Sequence, residues 1–436
     1  MNPVPPILVV MLDGLGDRPW ASLGGLTPLQ AAHTPNLDAF ATRSATGILA
    51  TLGPGRAPGT ELAHFVLFGY HENAYPGRAV FEAAGRGVEL TPDQVALHAI
   101  FATVRPEPDG SLTIVERYPG IPAGQIAQLA ARVAEFTHSD LHIRLRHVGG
   151  EQAIVTIDGG ASTDVTDTDP HNNGWPVGSV RPLDDAQDPD AARSTADALT
   201  AYLHFAYDAL APDDIAPDAE RTFLLLKWIG QRRPLAPFSA HTGMRGTIIS
   251  SASIFEGIAR ELGMEHRRMA LLPDLAEDTR MHLTEAAAAF ADGAEFVLAH
   301  SKQPDEAGHE KDPARKRDVI AGIDAGLEGL ADRAGLPPDT IIVVTGDHGT
   351  PAGTTLIHSG DPVPIAILAD AMQPDDVAAF DERACACGCL GHLRGEDFMP
   401  LLLNARGTVR YRGGRLSPHT GLHWPSDYEA FRPDSD

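Results

Sequence analysis

The chain has 436 residues, with 59 acidic against 34 basic side chains, and carries a formal charge of −25. A deficit of Lys and Arg on this scale excludes nonspecific nucleic-acid binding, which depends on neutralising backbone phosphates. The length fits two domains, and a 43% apolar content is enough to build a large core in each.

In chain order, the first element is the apolar run Ile7 to Leu12, which reads as a buried strand and stops at Asp13. The run is too short for a signal peptide, and no stretch approaches the ~20 apolar residues that cross a bilayer. From about Val88 to Pro237 the pattern changes. Strands are expected over Val95–Val104, Leu141–His147 and Gln152–Ile157, with helices over Gly124–Phe136 and Asp190–Ala211. The acidic segment Ala211–Glu220 reads as a surface connection.

Beyond it, alanine-rich helices (Leu283–Ala291, Asp318–Arg333) alternate with apolar runs at Phe296–His300, Thr340–Thr345 and Val363–Leu368. All three runs are expected to be parallel strands like the first. This alternation predicts an α/β fold with a mostly parallel sheet covered on both faces. The middle is then a second α/β domain, residues 88–237, inserted into a first domain formed by residues 1–87 and 238–436. Cys385, Cys387 and Cys389 cannot supply a disulfide framework, so a reducing cytoplasm is expected. Their alternate spacing, with His392 nearby, is tighter than that of structural zinc sites, and they read as small or exposed thiols.

The polar residues that end the apolar runs carry the chemistry. The first run enters Asp13-Gly-Leu-Gly-Asp17, and Thr340–Thr345 enters Gly346-Asp-His-Gly349. Phe296–His300 is followed by Asp305-Glu-Ala-Gly-His309, and His358 precedes the last run. Ligands of open α/β sheets collect beyond the carboxyl ends of strands, so Asp13, Asp305, His309, Asp347, His348 and His358 are expected on one rim. Three carboxylates and three imidazoles brought together call for divalent cations, and mixed O/N ligation suits Mn or Zn better than Ca. Taken singly, each motif also reads as a turn or a helix cap. Six ligands suffice for two ions, which can clamp the attacking and leaving oxygens of phosphoryl transfer. The nucleophile candidate is Thr60 in Pro58-Gly-Thr-Glu-Leu-Ala-His64, whose other reading is a helix N-cap.

With these residues in view, the chain resembles the archaeal-type cofactor-independent phosphoglycerate mutases of the alkaline phosphatase superfamily. The resemblance rests on Asp13–Pro19, Thr27–Asp38, Leu67–Tyr70, Gly77–Ala83, Asp167–His171, Asp305–His309, Gly346–Pro351 and His358–Pro364, in the family's order. It implies an alkaline-phosphatase-like core with an inserted transferase-like domain. It also implies two Mn-type ions, with Zn or Mg as other candidates. One ion would be held by Asp305, His309 and His358, the other by Asp13, Asp347, His348 and the nucleophile. The substrate, a small phosphorylated metabolite, would give its phosphoryl group to the nucleophile and receive it back on a neighbouring hydroxyl.

Asp169 and His171 read either as substrate-positioning or acid–base groups or as an Asp-Pro turn. Arg78 reads as a phosphate clamp or as the partner of Glu82 one helical turn on. The basic run Lys311, Arg315, Lys316 and Arg317 reads as a solvated helix face.

Departures from the family pattern fall at Thr60-Glu61 (usually Ser-Asp), Glu151-Gln152 (His-Arg), Lys227-Trp228-Ile229-Gly230 (Arg-Gly-Ala-Gly) and Glu256 (Lys). They imply lost or weakened cations and an altered substrate preference. A phosphohydrolase, an intermolecular phosphoryl or phosphonyl transferase and a non-catalytic metal binder are the alternatives.

Overall fold

The computed structural model describes residues 4–433 except 213–215, 217, 419 and 426–427. The chain divides into two compact units, residues 1–75 with 235–436 and residues 76–234. The first boundary thus lies before the Arg78–Gly85 helix, which sequence alone assigned to the first domain. That helix packs on strands of the second unit.

The strands, in chain order, are β1 (Ile7–Leu12), β2 (Ala45–Ala50), β3 (Val95–Pro106), β4 (Leu112–Glu116), β5 (Glu135–His138), β6 (Leu141–Gly149) and β7 (Gln152–Asp158). They continue with β8 (Arg221–Gln231), β9 (Gly246–Ser250), β10 (Glu265–Arg268), β11 (Phe296–Ser301), β12 (Ile341–Thr345), β13 (Val363–Leu368) and β14 (Gly391–Arg394).

Among the described residues, the first unit carries an eight-stranded sheet in the order β10-β9-β11-β1-β12-β13-β2-β14. β1 is buried along its whole length, as a central strand covered on both faces must be. It pairs in parallel with β11 on one side and β12 on the other. β13 was expected to be parallel, but it runs antiparallel to both β12 and β2. The reversal brings the residue before β13 to the rim where β1, β11 and β12 end. His358 therefore joins that rim from the opposite chain direction.

The helix expected over Asp318–Arg333 is two pieces, Pro313–Asp324 and a short 3-10 turn at Leu330–Asp332. Gly329, at φ +80°, precedes the 3-10 turn as its N-cap residue. The helix Leu275–Ala291 extends well ahead of the stretch read from alanine content.

The second unit is a sheet in the order β4-β3-β7-β6-β5, with β8 paired to β3. It is antiparallel, with the helices Ala123–Arg132 and Pro189–Ala209. Glu135 and Phe136 were expected to end a helix, but they form β5, because the helix stops at Arg132. Part of the expected connection Ala211–Glu220 lies outside the described residues.

Cys385 is buried in the core of the first unit, and Cys387 and Cys389 are exposed. Among the described residues, no helix is long and apolar enough to cross a membrane.

Candidate metal centre and a second charged cluster

Strand geometry explains why the first unit's polar residues converge. β11, β1 and β12 are adjacent and parallel, so the turns after Ser301, Leu12 and Thr345 lie side by side. The close approach depends on Gly14, at φ +64°, where a Cβ would stand 2.5 Å from Thr350 Oγ1 and 2.7 Å from Asp305 Cβ. Asp13, Asp305, Asp347 and His348 are all buried.

Two sets of potential ligands result, each with its ligand atoms within 4.8 Å of one another. They are Asp305 with His309 and His358, and Asp13 with Asp305 and His348. Asp347 stands beside the second set, its Oδ2 lying 3.3 Å from His348 Nε2. Its Oδ1 accepts from the backbone N–H groups of Gly14 and His348, at 3.0 Å each. Asp347 Oδ2 and Asp13 Oδ1 are buried and accept no hydrogen bond. Burial, with Asp13 alongside, pushes the Asp347 carboxyl well above its usual range. Burial also disfavours ionisation of Asp13, but Lys302 and then His300 overcome it and hold this carboxyl well below its usual value. Unsatisfied buried carboxylate oxygens facing imidazole nitrogens are the donor set that a divalent cation fits.

The imidazoles are oriented for the same purpose. His358 Nδ1 lies 2.7 Å from the Pro58 carbonyl, which fixes the proton there and leaves Nε2 facing Asp305 Oδ1 at 3.5 Å. The His348 and His358 rings stack at 3.7 Å, and burial followed by this neighbour keeps His348 neutral.

Thr60 is buried and opens the helix Thr60–Leu67, with Gly59 as the N-cap residue. The capping alternative therefore does not apply, since the Thr60 side chain makes no cap bond. Its Oγ1 instead lies 3.2 Å from His348 Nε2. The positive end of the helix dipole is then directed at the same place.

Three groups in this unit were passed over or misread in the sequence. Lys302 Nζ donates to Asp13 Oδ2 at 2.8 Å and pairs with Asp305 Oδ2 at 2.6 Å. His300 Nε2 lies 3.1 Å from the same Asp13 oxygen. Both belong to the end of β11, so the strand-end argument that found Asp13 reaches them as well. Lys316 does not lie on a solvated face. It is fully buried and donates to the carbonyls of Gly14 (2.8 Å), Gly16 (3.0 Å) and Thr350 (2.9 Å) and to Asp17 Oδ2 (3.1 Å). It ties the loop after β1 to the loop after β12.

Glu256, the apparent charge reversal, is ion-paired with Arg260 at 2.8 Å one turn along its helix.

The second unit gathers a cluster of its own. Asp169 Oδ2 accepts from Lys227 Nζ and from Arg117 Nη2, both at 2.8 Å. Burial opposes ionisation of Asp169, yet the two cations bring its carboxyl down to about 2. Lys227 is fully buried, and burial outweighs its carboxylate partner, lowering the ammonium to about 8.

Asp169 Oδ1 accepts from the His171 backbone at 2.9 Å, so the expected turn is present. The same two residues nevertheless sit inside the cationic cluster. His171 is lowered to about 4 by burial and then by Lys227, and is neutral at pH 7. Arg78 pairs with Glu82 as one reading expected, at 3.2 Å, while its Cζ lies 3.7 Å over the Trp228 ring. Arg86 pairs with Gln152 and reaches toward Glu82. Arg117, at the end of β4, was not singled out, because a lone exposed-looking Arg after a short strand has no distinguishing pattern.

A family model described as the metalloenzyme superfamily matches residues 5–405. The 2,3-bisphosphoglycerate-independent phosphoglycerate mutase of Methanopyrus kandleri is 35% identical over 91% of this chain and 95% of its own length. Phosphoglycerate mutase 2 of the same type from Methanocaldococcus jannaschii is 32% identical over 97% and 98%. Among solved structures, a Pyrococcus horikoshii protein aligns with TM-score 0.71 at 25% identity, over 94% of this chain and 99% of that one. The cofactor-independent phosphoglycerate mutase of Thermoplasma acidophilum aligns with TM-score 0.59 at 28% identity, over 92% and 100%. The chain belongs to the metalloenzyme superfamily and, within it, to the 2,3-bisphosphoglycerate-independent phosphoglycerate mutases, metal-dependent enzymes of the isomerase class.

Proposed function

We propose that this enzyme moves a phosphoryl group through a phosphothreonine on Thr60, acting on a small phosphorylated acid with two divalent ions, Mn first among them. The observation that carries the reading is Thr60 Oγ1 at 3.2 Å from His348 Nε2, buried among Asp13, Asp305 and Asp347 and unused for capping. Asp305, His309 and His358 would hold one ion, and Asp13, Asp347, His348 and Thr60 the other. Bound there, divalent cations favour the ionised hydroxyl and neutralise the phosphoryl oxygens in transit.

The Thr60 oxygen forms a bond to phosphorus as the bond from phosphorus to the substrate oxygen breaks. The proton given up by Thr60 equals the one taken by the leaving alkoxide, so this half-reaction is proton-neutral. Transfer from Thr60 to a neighbouring hydroxyl of the same substrate reverses it. The N–H groups at the start of the Thr60–Leu67 helix add fixed positive charge to the phosphoryl oxygens.

In the second unit, Arg78, Arg117 and Lys227 bind the substrate's acidic groups, and Asp169 and His171 position its hydroxyls. Neutral His171 offers one donor and one acceptor, which suits a hydroxyl better than a carboxylate. Replacing a guanidinium with Lys227 sacrifices bidentate recognition, which supports a preference shifted away from phosphoglycerate itself.

The test is phosphorus NMR on the Mn-loaded protein with 3-phosphoglycerate. Formation of 2-phosphoglycerate without free phosphate supports a mutase, and release of phosphate supports a hydrolase instead. Thr60→Ala is expected to abolish either reaction. Full turnover by that variant removes Thr60 as nucleophile.

A further inference from the structure

Trp228 stands in a conformation that its side chain does not favour. Its φ is +59°, in the left-handed region that suits glycine and is strained for a bulky residue. The pairing of β3 with β8 changes register between Ala96 and His98, opposite Gly230 and Lys227. Trp228 and Ile229 therefore oppose the single residue Leu97 in a bulge, a device that re-aims a side chain out of the ladder. The bulge is pinned by the Trp228 N–H, which donates to Asp167 Oδ1 at 2.9 Å.

The indole lands on charged and titratable groups. Arg78 Cζ lies 3.7 Å from the ring centroid and Lys227 Nζ 4.2 Å. The His171 ring stacks at 5.6 Å and His98 lies tilted at 5.2 Å. His171 is itself left-handed, at φ +66°, so two strained non-glycine residues stack on each other. Strain of this kind persists only where its surroundings enforce it. The Arg78 guanidinium is gripped on one side by buried Glu82 and on its face by the indole, and its side chain keeps 26% of its surface exposed.

We propose that Trp228 is a positioning residue, which uses the aromatic face aimed by its bulge to fix the Arg78 guanidinium as a preorganised site for a phosphoryl or carboxylate group of the substrate. The proposal rests on the reading of this cluster as the substrate-binding one. A cation fixed before the ligand arrives loses less side-chain entropy on binding, so the effect falls on KM and Kd rather than on kcat.

The test compares Trp228→Phe with Trp228→Leu, in the wild-type background and with Arg78→Ala. The readouts are KM and kcat for 3-phosphoglycerate on the Mn-loaded enzyme, and calorimetric Kd for the same compound. Phe retains an aromatic face, so affinity stays within about threefold of wild type. Leu fills similar space without that face, and Kd and KM rise about tenfold with kcat little changed. In the Arg78→Ala background, Phe and Leu become equivalent. Equal losses for Phe and Leu, or a loss that persists undiminished without Arg78, overturn the proposal and leave Trp228 a packing residue. Binding without turnover counts against the mutase reading alone, because the Kd comparison still decides the role of Trp228. Absence of binding by 3-phosphoglycerate and by a panel of other small phosphorylated acids overturns both.

Discussion

Replacing Lys316 with Met tests whether the candidate metal centre is assembled by a buried ammonium remote from it in sequence. The four acceptors of Lys316 are not equally dependent on it. The Gly16 carbonyl also accepts from Thr350 N at 3.0 Å. Asp17 retains the backbone N–H groups of Arg18 and Ala352 and the Trp20 indole. The Gly14 and Thr350 carbonyls lose the bonds to Lys316 that join their loops. Two buried carbonyls left short of a donor cost about 1–3 kcal/mol each, and an uncompensated share of the Asp17 charge adds to this.

Burial of the ammonium itself is unfavourable, and it lowers the Lys316 pKa, so relieving it offsets part of the loss. A net destabilisation of about 3 kcal/mol follows, or roughly 3–5 °C in melting temperature for a unit of this size. Because Lys316 joins the loops carrying Asp13 and Asp347, Mn affinity falls with it. Calorimetric unfolding with and without Mn measures both, and exposed Arg315→Gln serves as the control. A Lys316→Met protein that melts within 1 °C of wild type and binds Mn equally well refutes the reasoning.

Lys302 bridges Asp13 and Asp305, so Lys302→Met is expected to lower the melting temperature of the metal-free protein more than that of the Mn-loaded one. The Mn-induced rise then grows, and equal losses in the two states count against this role. Lys227 supplies the pH dependence: its ammonium is lowered to about 8, so substrate affinity is expected to fall as pH rises through that value. The linked stability has the opposite sign. Between about 8 and the unfolded value of 10.5 the unfolded chain binds more protons, so this group's contribution to stability rises with pH. Titration of Kd between pH 6 and pH 10, beside a Lys227→Met variant that lacks the inflection, measures it.

The candidate centre was legible where the chain announces it twice, by an apolar run and by the acid or imidazole that ends the run. Asp13, Asp305 and Asp347 satisfy both conditions, and strand adjacency did the rest. The direction of β13 was not legible, because a short buried run reads the same in parallel and antiparallel pairing. His358 was nevertheless found, since reversing the strand exchanges its ends and brings a residue before it to the rim. Lys316 was hidden for a different reason. Its neighbour Arg315 is exposed and Arg317 half-buried, and three of its four partners are backbone carbonyls, those of Gly14 and Gly16 about 300 residues away, which leave no side-chain signature. Trp228 carried no signal of strain at all, since only the backbone reveals its φ.

Charge is distributed differently in the two units. In the first, among the described residues, Lys302 is the one ammonium or guanidinium that stands directly on the carboxylates of Asp13 and Asp305, with Asp347 beside them, so that cluster is deficient in positive charge. Divalent ions answer that deficit, and the phosphoryl group can draw its countercharge from them. In the second, Arg78, Arg86, Arg117 and Lys227 outnumber the carboxylates of Glu82 and Asp169 that pair with them. That excess suits the acidic end of a substrate and needs no metal. On the proposed reading, an acidic chain handles a phosphorylated acid without a basic surface: one cluster is deficient in positive charge, and the other carries an excess of it.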